Sequence, residues 1–227
     1  MSQKKSIWIV LPAYNEDKMI GKVVADIRQK NYHNIIVVDD GSTDSTGEVA
    51  EKAGAVVIKH TINRGAGAAT QTGIIGALRL GAEIIVTMDS DSQHDADDIK
   101  KITVPIEQDK CDVVIGSRLK DRKNMPVLRR FFNLGANLAT WIFFGLWVSD
   151  SQSGFKAFSR KAAQQIRILT NGFEFCSELI REIKVLKLAF TEVPIKVYYN
   201  EYSMAKGQSF ARGLTTLFKL IMRRLIK

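Results

Sequence analysis

Five short apolar runs rich in β-branched residues recur along the first half of the chain, at residues 7–11, 35–39, 55–59, 84–88 and 113–116. Runs of this length and composition read as strands buried on both faces. The stretches between them, near 18–30, 45–53, 66–80 and 96–108, carry apolar residues at helical spacing. Ser42 or Thr43 is the expected cap of the second stretch and Asp95 of the fourth. Strands alternating with helices on this period build a mainly parallel, Rossmann-like sheet flanked by helices, an α/β fold. Such sheets bind ligands beyond the carboxyl ends of their strands. The chemistry is therefore expected just after Leu11, Asp39, Met88 and Gly116.

After Ser117 the rhythm breaks. A basic loop at 118–123 leads into the most apolar stretch, FFNLGANLATWIFFGLWV at 131–148. Asn133, Gly135, Asn137 and Thr140 interrupt it, leaving less than the roughly 20 apolar residues that a spanning helix needs. A buried helix and an interfacial element both fit, the second because Trp141 and Trp147 favour headgroup depth. Further on, the pattern predicts a strand at 154–158, helices at 160–169 and 175–188, an extended segment at 191–199 and a terminal helix at 209–226. With no internal repeat and no linker, the simplest partition is one domain over 1–208 and an amphipathic appendage over 209–227. In that appendage Phe210, Leu214, Leu217, Phe218, Ile221 and Leu225 share one helical face, opposite Arg212, Lys219, Arg223 and Lys227. A basic amphipathic helix reads as membrane-surface binding, against docking on its own domain.

Composition narrows the partners. With 45% apolar and 25% charged residues, wholesale disorder is excluded. The formal net charge of +9 points to anionic partners: phosphates, nucleic acid or an acidic membrane face. Nucleic acid is disfavoured, because the basic residues are neither interleaved with stacking aromatics nor set in a recognised motif. The polar first six residues and the short apolar run after them do not resemble a secretory signal, and Cys111 and Cys176 read as reduced core residues. A cytoplasmic location is expected.

The residues at the strand ends are rich in chemistry. Asp89 and Asp91, in MDSDSQHDADD, are alternate carboxylates on an extended segment, and they can converge on a hard ion such as Mg²⁺ or Mn²⁺ that also accepts diphosphate oxygens. Asp39 and Asp40 close the second strand in VVDDGSTDST, where Asp39 is placed to accept from a base or ribose. Pro12, Tyr14, Asn15 and Glu16 follow the first strand. Asn63, Arg64, Gly65, Ala66 and Gly67 form a glycine-rich lead into the third helix that can cradle phosphate on backbone N–H groups. The pattern is neither GxGxxG nor GxxxxGK[ST], so a dinucleotide site and a P-loop are not indicated.

LPAYNE, VVDDGSTDST, NRGAGAA, DSDSQH, GSR at 116–118 and DSQSGFKAF at 150–158 occur in this order. On these motifs the chain resembles the family 2 glycosyltransferases of the GT-A fold, over about residues 7–209. It is most similar to the branch of dolichyl-phosphate mannose and dolichyl-phosphate glucose synthases. The resemblance implies nucleotide-sugar binding by Pro12, Tyr14, Glu16, Asp39 and Asp40, with Asn15, Asn63, Gly67, Asp89 and Ser90 around the same crevice. It implies metal ligation by Asp89, Asp91 and Gln93, and a phosphate-handling role for Arg118 and for Arg129 or Arg130, whose other reading is membrane-surface charge. Lys206 in YSMAKGQS is the expected substitute for a family arginine whose place Met204 takes. Glu178 reads either as an acceptor-side residue or as half of a surface salt bridge.

Catalysis on this reading is by Asp89, Asp91 and Arg118. The acceptor decides whether a base is needed. A hydroxyl needs one, whereas a phosphate monoester, with a second pKa of about 6, is already an anion at neutral pH. The chain lacks the Gln-x-x-Arg-Trp segment of processive polysaccharide synthases, and with the basic charge this favours a dolichyl or polyprenyl phosphate acceptor and an inverting transfer. The donor is a UDP-sugar, preferred over GDP-mannose. The protein is expected to sit peripherally on the cytoplasmic membrane face or on a membrane-protein partner. A hydroxyl acceptor is the alternative, with Asp150 as its base; a non-catalytic nucleotide-sugar binder is disfavoured by the intact carboxylates.

Overall fold

A computed structural model describes residues 5–119 and 127–198, and of 127–133 and 136 the backbone only. Among the described residues seven strands form one sheet: β1 (Ile7–Ala13), β2 (Ile35–Asp39), β3 (Val56–Lys59), β4 (Ile84–Thr87), β5 (Val113–Ser117), β6 (Lys156–Ser159) and β7 (Phe190–Pro194). Their spatial order is β3-β2-β1-β4-β6-β5-β7. All pairings are parallel except those of β6, which lies antiparallel between β4 and β5. The α/β class and the mainly parallel sheet expected from the apolar runs are present.

Alternate residues of each strand feed two apolar layers, as a sheet covered on both faces requires. Ile9, Leu11, Ile35 and Val37 pack under α1 (Asp17–Gln29), α2 (Thr46–Lys52) and α4 (Asp98–Glu107), through Ile20, Val24, Ile27, Ala50, Ile99 and Ile102. Val10, Ile36, Val38 and Ile85 face α3 (Ala66–Arg79), α6 (Arg160–Gln165) and α7 (Phe175–Val185), through Ala69, Ile74, Ala162, Leu179 and Ile183. The remaining helix, α5 (Val127–Phe144), follows β5 and packs beside α7. Among the described residues no helix is long and apolar enough to cross a membrane.

Several local expectations change. Helix α2 starts after Ser45 and α4 after Asp97, neither with a side-chain cap. Asp44 and Asp95 instead accept the backbone N–H groups of Thr46 and Asp97, two residues on, while Ser42 accepts from the Asn15 N–H. Helix α6 stops at Gln165 because Ile166 turns extended. The predicted 209–226 helix, Lys206 and the appendage lie outside the described residues.

The parallel register brings the tips of β1, β2 and β4 together: Ala13 pairs with Asp39, and Val10 with Thr87. Because β6 runs the other way, the loop that precedes it arrives at this same edge. Segment 150–154 therefore meets the carboxyl end of β4.

Candidate active site

Asp89 and Asp91 leave the tip of β4 on a short irregular segment in which Ser92 takes a left-handed φ of 63°. Each carboxylate is held from the protein side. His94 Nε2 lies 3.0 Å from Asp89 Oδ2, and the His94 ring packs at 5.0 Å against Phe155. Gln93 donates to both oxygens of Asp91, from its backbone N–H to Oδ1 at 3.1 Å and from its amide Nε2 to Oδ2 at 2.6 Å. Ser90 donates to the Pro12 carbonyl at 2.9 Å, tying the β4 tip to the β1 tip. On the other side the 150–154 loop closes in. Thr87 Oγ1 donates to the Gly154 carbonyl at 2.8 Å, and a Cβ at Gly154 would stand 2.2 Å from Asp89 Oδ1. No side chain fits there. The glycine lets backbone lie directly on the carboxylate.

The charges are arranged asymmetrically. Burial works against ionisation of Asp89, but the hydrogen bond from His94 and the pull of His94, Arg118 and Lys156 outweigh it, so its pKa is lowered. Asp91 is pushed up to about 6, by burial first and then by the charge of Asp89, with Glu16 adding to the effect. A cation beside the pair offsets the charge of Asp89 that raises the proton affinity of Asp91. Among the described residues no three His, Cys, Asp or Glu side chains form a closed metal cage. An all-oxygen pair with an open side suits Mg²⁺ or Mn²⁺, which bind through one or two carboxylates and complete their shell with substrate phosphates. Gln93, expected as a third ligand, turns its N–H donor toward Asp91 and orients that carboxylate.

At the tips of β1 and β2, Tyr14 is 45% exposed at the mouth of the crevice, and Glu16 is buried and within electrostatic reach of Asp91. Asn15 takes a left-handed φ of 53°. Its Oδ1 accepts from the Thr43 N–H at 2.9 Å, clasping the loop after β2. Asp39 is 1% exposed. Its Oδ1 accepts from the Ser42 N–H, and Oδ2 has no hydrogen-bond partner among the described residues, with Lys59 Nζ 3.8 Å away. A buried carboxylate oxygen left without a donor is costly and suits a ligand N–H or O–H.

Its neighbour differs. Asp40 Oδ1 accepts from the Arg64 N–H at 3.0 Å and contacts His60 Nδ1 at 2.6 Å, while Oδ2 accepts from the Gly65 N–H at 2.7 Å. Asp40, expected on the nucleotide, thus anchors the lead into α3. The phosphate cradle expected there gives way for the same reason. The N–H groups of Arg64 and Gly65 serve Asp40, and that of Gly67 donates to the Asn171 carbonyl at 2.8 Å. A Cβ at Gly67 would lie 2.0 Å from the Thr170 carbonyl oxygen. The glycines of NRGAG let another chain segment cross close by. Asn63 is exposed on this loop.

Arg118, at the end of β5, directs its guanidinium at Asp150: Nε to Oδ2 and Nη2 to Oδ1, both at 2.7 Å, with its own backbone N–H on Oδ2 at 2.9 Å. Asp150 is fully buried. Both of its oxygens are engaged by Arg118, and the arginine fork expected on a phosphate grips this carboxylate. Glu178 is not at a surface salt bridge. It is buried, and its Oε2 accepts from the N–H groups of Leu169 and Thr170 and from the Thr170 hydroxyl. Arg130 lies in the first turn of α5, where only the backbone is described. Sequence reasoning assigned no role to His94, Gly154 or Lys156. Lys156 is fully buried, donates to the Ser153 carbonyl and places a cation beneath Asp89. A lysine inside the otherwise apolar run Phe155–Phe158 was the signal that could have found it.

The glycosyl transferase family 2 model matches residues 8–167. A protein of Methanococcus voltae named UDP-N-acetylglucosamine–dolichyl-phosphate N-acetylglucosaminyltransferase is 40% identical over 245 residues, which cover 98% of either chain. The polyprenol monophosphomannose synthase of Mycolicibacterium smegmatis is 25% identical over 85% of this chain and 77% of its own. Among solved structures, the Mycobacterium tuberculosis glucosyl-3-phosphoglycerate synthase in complex with Mn²⁺ and UDP-glucose superposes with a TM-score of 0.71. At 22% identity, over 96% of this chain and 77% of that one, the likeness is one of fold. The family match runs from β1 through β6 and takes in the whole carboxylate tip, and on it this chain belongs to glycosyl transferase family 2 and is a glycosyltransferase.

Proposed function

We propose that this enzyme transfers a sugar from a UDP-sugar to a dolichyl or polyprenyl monophosphate, with Mg²⁺ or Mn²⁺ held by Asp89 and Asp91. The observation that supports the acceptor class is the bidentate grip of Arg118 on Asp150, which occupies both oxygens of the carboxylate that a hydroxyl acceptor was expected to use as its base. A phosphate monoester needs no such base at neutral pH. The name of the 40% identical relative supports the same acceptor and makes UDP-N-acetylglucosamine the first donor to try.

On this reading Asp39 accepts a hydrogen bond from the nucleoside through Oδ2, which has an ion-pair neighbour in Lys59 but no hydrogen-bond donor among the described residues, and Tyr14 covers the nucleoside at the crevice mouth. Asp89 and Asp91 present oxygens to the metal, His94 and Gln93 hold those carboxylates in place, and Gly154 seals one side against water. The bound ion supplies Lewis-acid neutralisation of the charge that builds on the departing nucleoside diphosphate. Attack by the acceptor phosphate oxygen on the anomeric carbon inverts its configuration. Arg118 acts through the 150–154 loop, and acceptor-phosphate contacts fall to Arg130 and Lys206. The catalytic domain spans 1–208, with 209–227 an amphipathic appendage toward the membrane.

The deciding assay incubates purified protein, Mn²⁺ and a polyprenyl phosphate with UDP-N-acetylglucosamine, UDP-glucose and GDP-mannose in separate reactions. The expected product is a lipid-phosphate sugar from one of the UDP-sugars, absent with Asp91→Ala. Transfer confined to hydroxyl acceptors overturns the acceptor reading, and undiminished transfer by Asp91→Ala overturns the metal assignment.

A further inference from the structure

Helix α5 is amphipathic the wrong way round for a helix lying against a soluble core. Its inward face is polar. Asn137 is 2% exposed, donates to the Ser149 carbonyl at 2.6 Å and accepts from both the N–H and the hydroxyl of Ser151 at 2.8 Å. Thr140, also buried, meets Ser177 at 3.1 Å. The outward face carries Leu134, Leu138, Trp141 and Ile142 at i, i+4, i+7 and i+8, each between 45% and 57% exposed. Trp147, 51% exposed, extends the stripe beyond the helix and meets Trp141 edge-on, with ring centroids 6.3 Å apart. The buried polar groups fix the rotation of the helix, since turning the apolar stripe inward would break every one of those bonds.

We infer that this face of α5, with Trp147, docks the enzyme on an anionic lipid bilayer, the stripe entering the headgroup–acyl boundary. Charge decides the occupant. From Val127 to Val148 the sequence has no acidic residue, and its two charges are Arg129 and Arg130 in the first turn. At the other end of α5 the exposed Lys184 donates to the Gly145 carbonyl. An apolar stripe with indoles and flanking cations matches the make-up of an interfacial helix. The place is apt as well. Asn137 and Thr140 bond the same 149–153 loop that leads to Gly154 and Asp89, so a bilayer against α5 is one loop away from the carboxylate pair. That benefit rests on the lipid-phosphate reading; the docking itself does not.

The chain provides its own probes. It contains three tryptophans: Trp8 on β1, and Trp141 and Trp147 on the proposed surface. The full-length protein is mixed with phosphatidylcholine–phosphatidylglycerol vesicles whose upper acyl chains carry nitroxide. Tryptophan emission is expected to shift to the blue and to be quenched. The variant Leu134→Gln/Leu138→Gln/Ile142→Gln, which keeps both indoles and removes only exposed side chains, should lose vesicle affinity by about tenfold or more. Binding without quenching would mean that another segment docks and would overturn the inference. So would a variant that binds as well as wild type, or one whose only change is a loss of self-association. Transfer to a water-soluble short-chain isoprenyl phosphate separates the two readings. Quenching without any transfer to a phosphate acceptor sinks the acceptor reading alone. Transfer without quenching sinks the docking alone.

Discussion

Asp91 is where a single residue's physics is most open to measurement. Its pKa, pushed up to about 6 by burial and by Asp89, lies above the ordinary carboxylate value. A carboxylate whose folded pKa exceeds its unfolded one binds more protons in the native state between those values. Stability of the metal-free protein therefore falls as pH rises from about 4 to about 6, and the cost stays constant above that. In EDTA at pH 7.5, Asp91→Asn should consequently be more stable than wild type, by about 1–2 kcal/mol after allowance for solvent screening. The gap should close near pH 4. Urea titrations at the two pH values check this, and equal stability at pH 7.5 would argue that the pair is not electrostatically strained. Asp39 and Asp40 mark the limit of reading such residues from sequence. Both are acidic, adjacent and at the right strand tip, yet one keeps an oxygen without a hydrogen-bond donor among the described residues and the other is consumed by His60 and two backbone N–H groups. That difference is set by residues 20 and more positions away, which no local pattern encodes.

Among elements, the loop before β6 carries the most consequence. Its fixed point is the Arg118–Asp150 pair, buried on the carboxylate side. Arg118→Met leaves an uncompensated buried carboxylate, a change that typically costs about 3–5 kcal/mol. Thermal unfolding should report a marked drop in Tm, and Asp150→Asn, which can still accept the Arg118 backbone N–H, a smaller one. Were Asp150 a general base, Asp150→Asn would instead abolish transfer with Tm unchanged. The strands and helices around this loop were legible because apolar period and length identify buried strands and amphipathic helices without tertiary information. The antiparallel direction of β6 was not. Residues 154–158 read as a strand, but only its neighbours fix which way it runs, and that direction is what delivers Gly154 to Asp89. The glycine-rich lead into α3 misled for a related reason. Glycine marks close approach equally for a phosphate and for a crossing backbone, here that of Thr170 and Asn171.

For the whole molecule, the crevice couples two ligands through one charge pair. A nucleoside diphosphate entering without metal meets the Asp89–Asp91 pair, whereas with Mn²⁺ present the repulsion becomes attraction. UDP alone should therefore raise Tm little, and UDP with Mn²⁺ should raise it by more than the sum of the separate shifts. A UDP shift that is the same in EDTA as in Mn²⁺ would remove the metal from nucleotide binding. The sheet order has a different kind of consequence, for the sequence of events during synthesis. Strands β1 to β4 pair with one another, so that half of the sheet can assemble as soon as it has been made. Among the described residues strand β5 pairs with β6 and β7, both of which are translated after α5. A nascent chain that has just completed α5 therefore holds β5 without a partner, β4 with a bare edge and an apolar helix stripe in water, a combination prone to aggregation. Arrival of β6 closes the bare edge, joins the two halves and lays Gly154 on Asp89, so the joint that unites the sheet is also the one that completes the site, and β7 then adds only at the far edge.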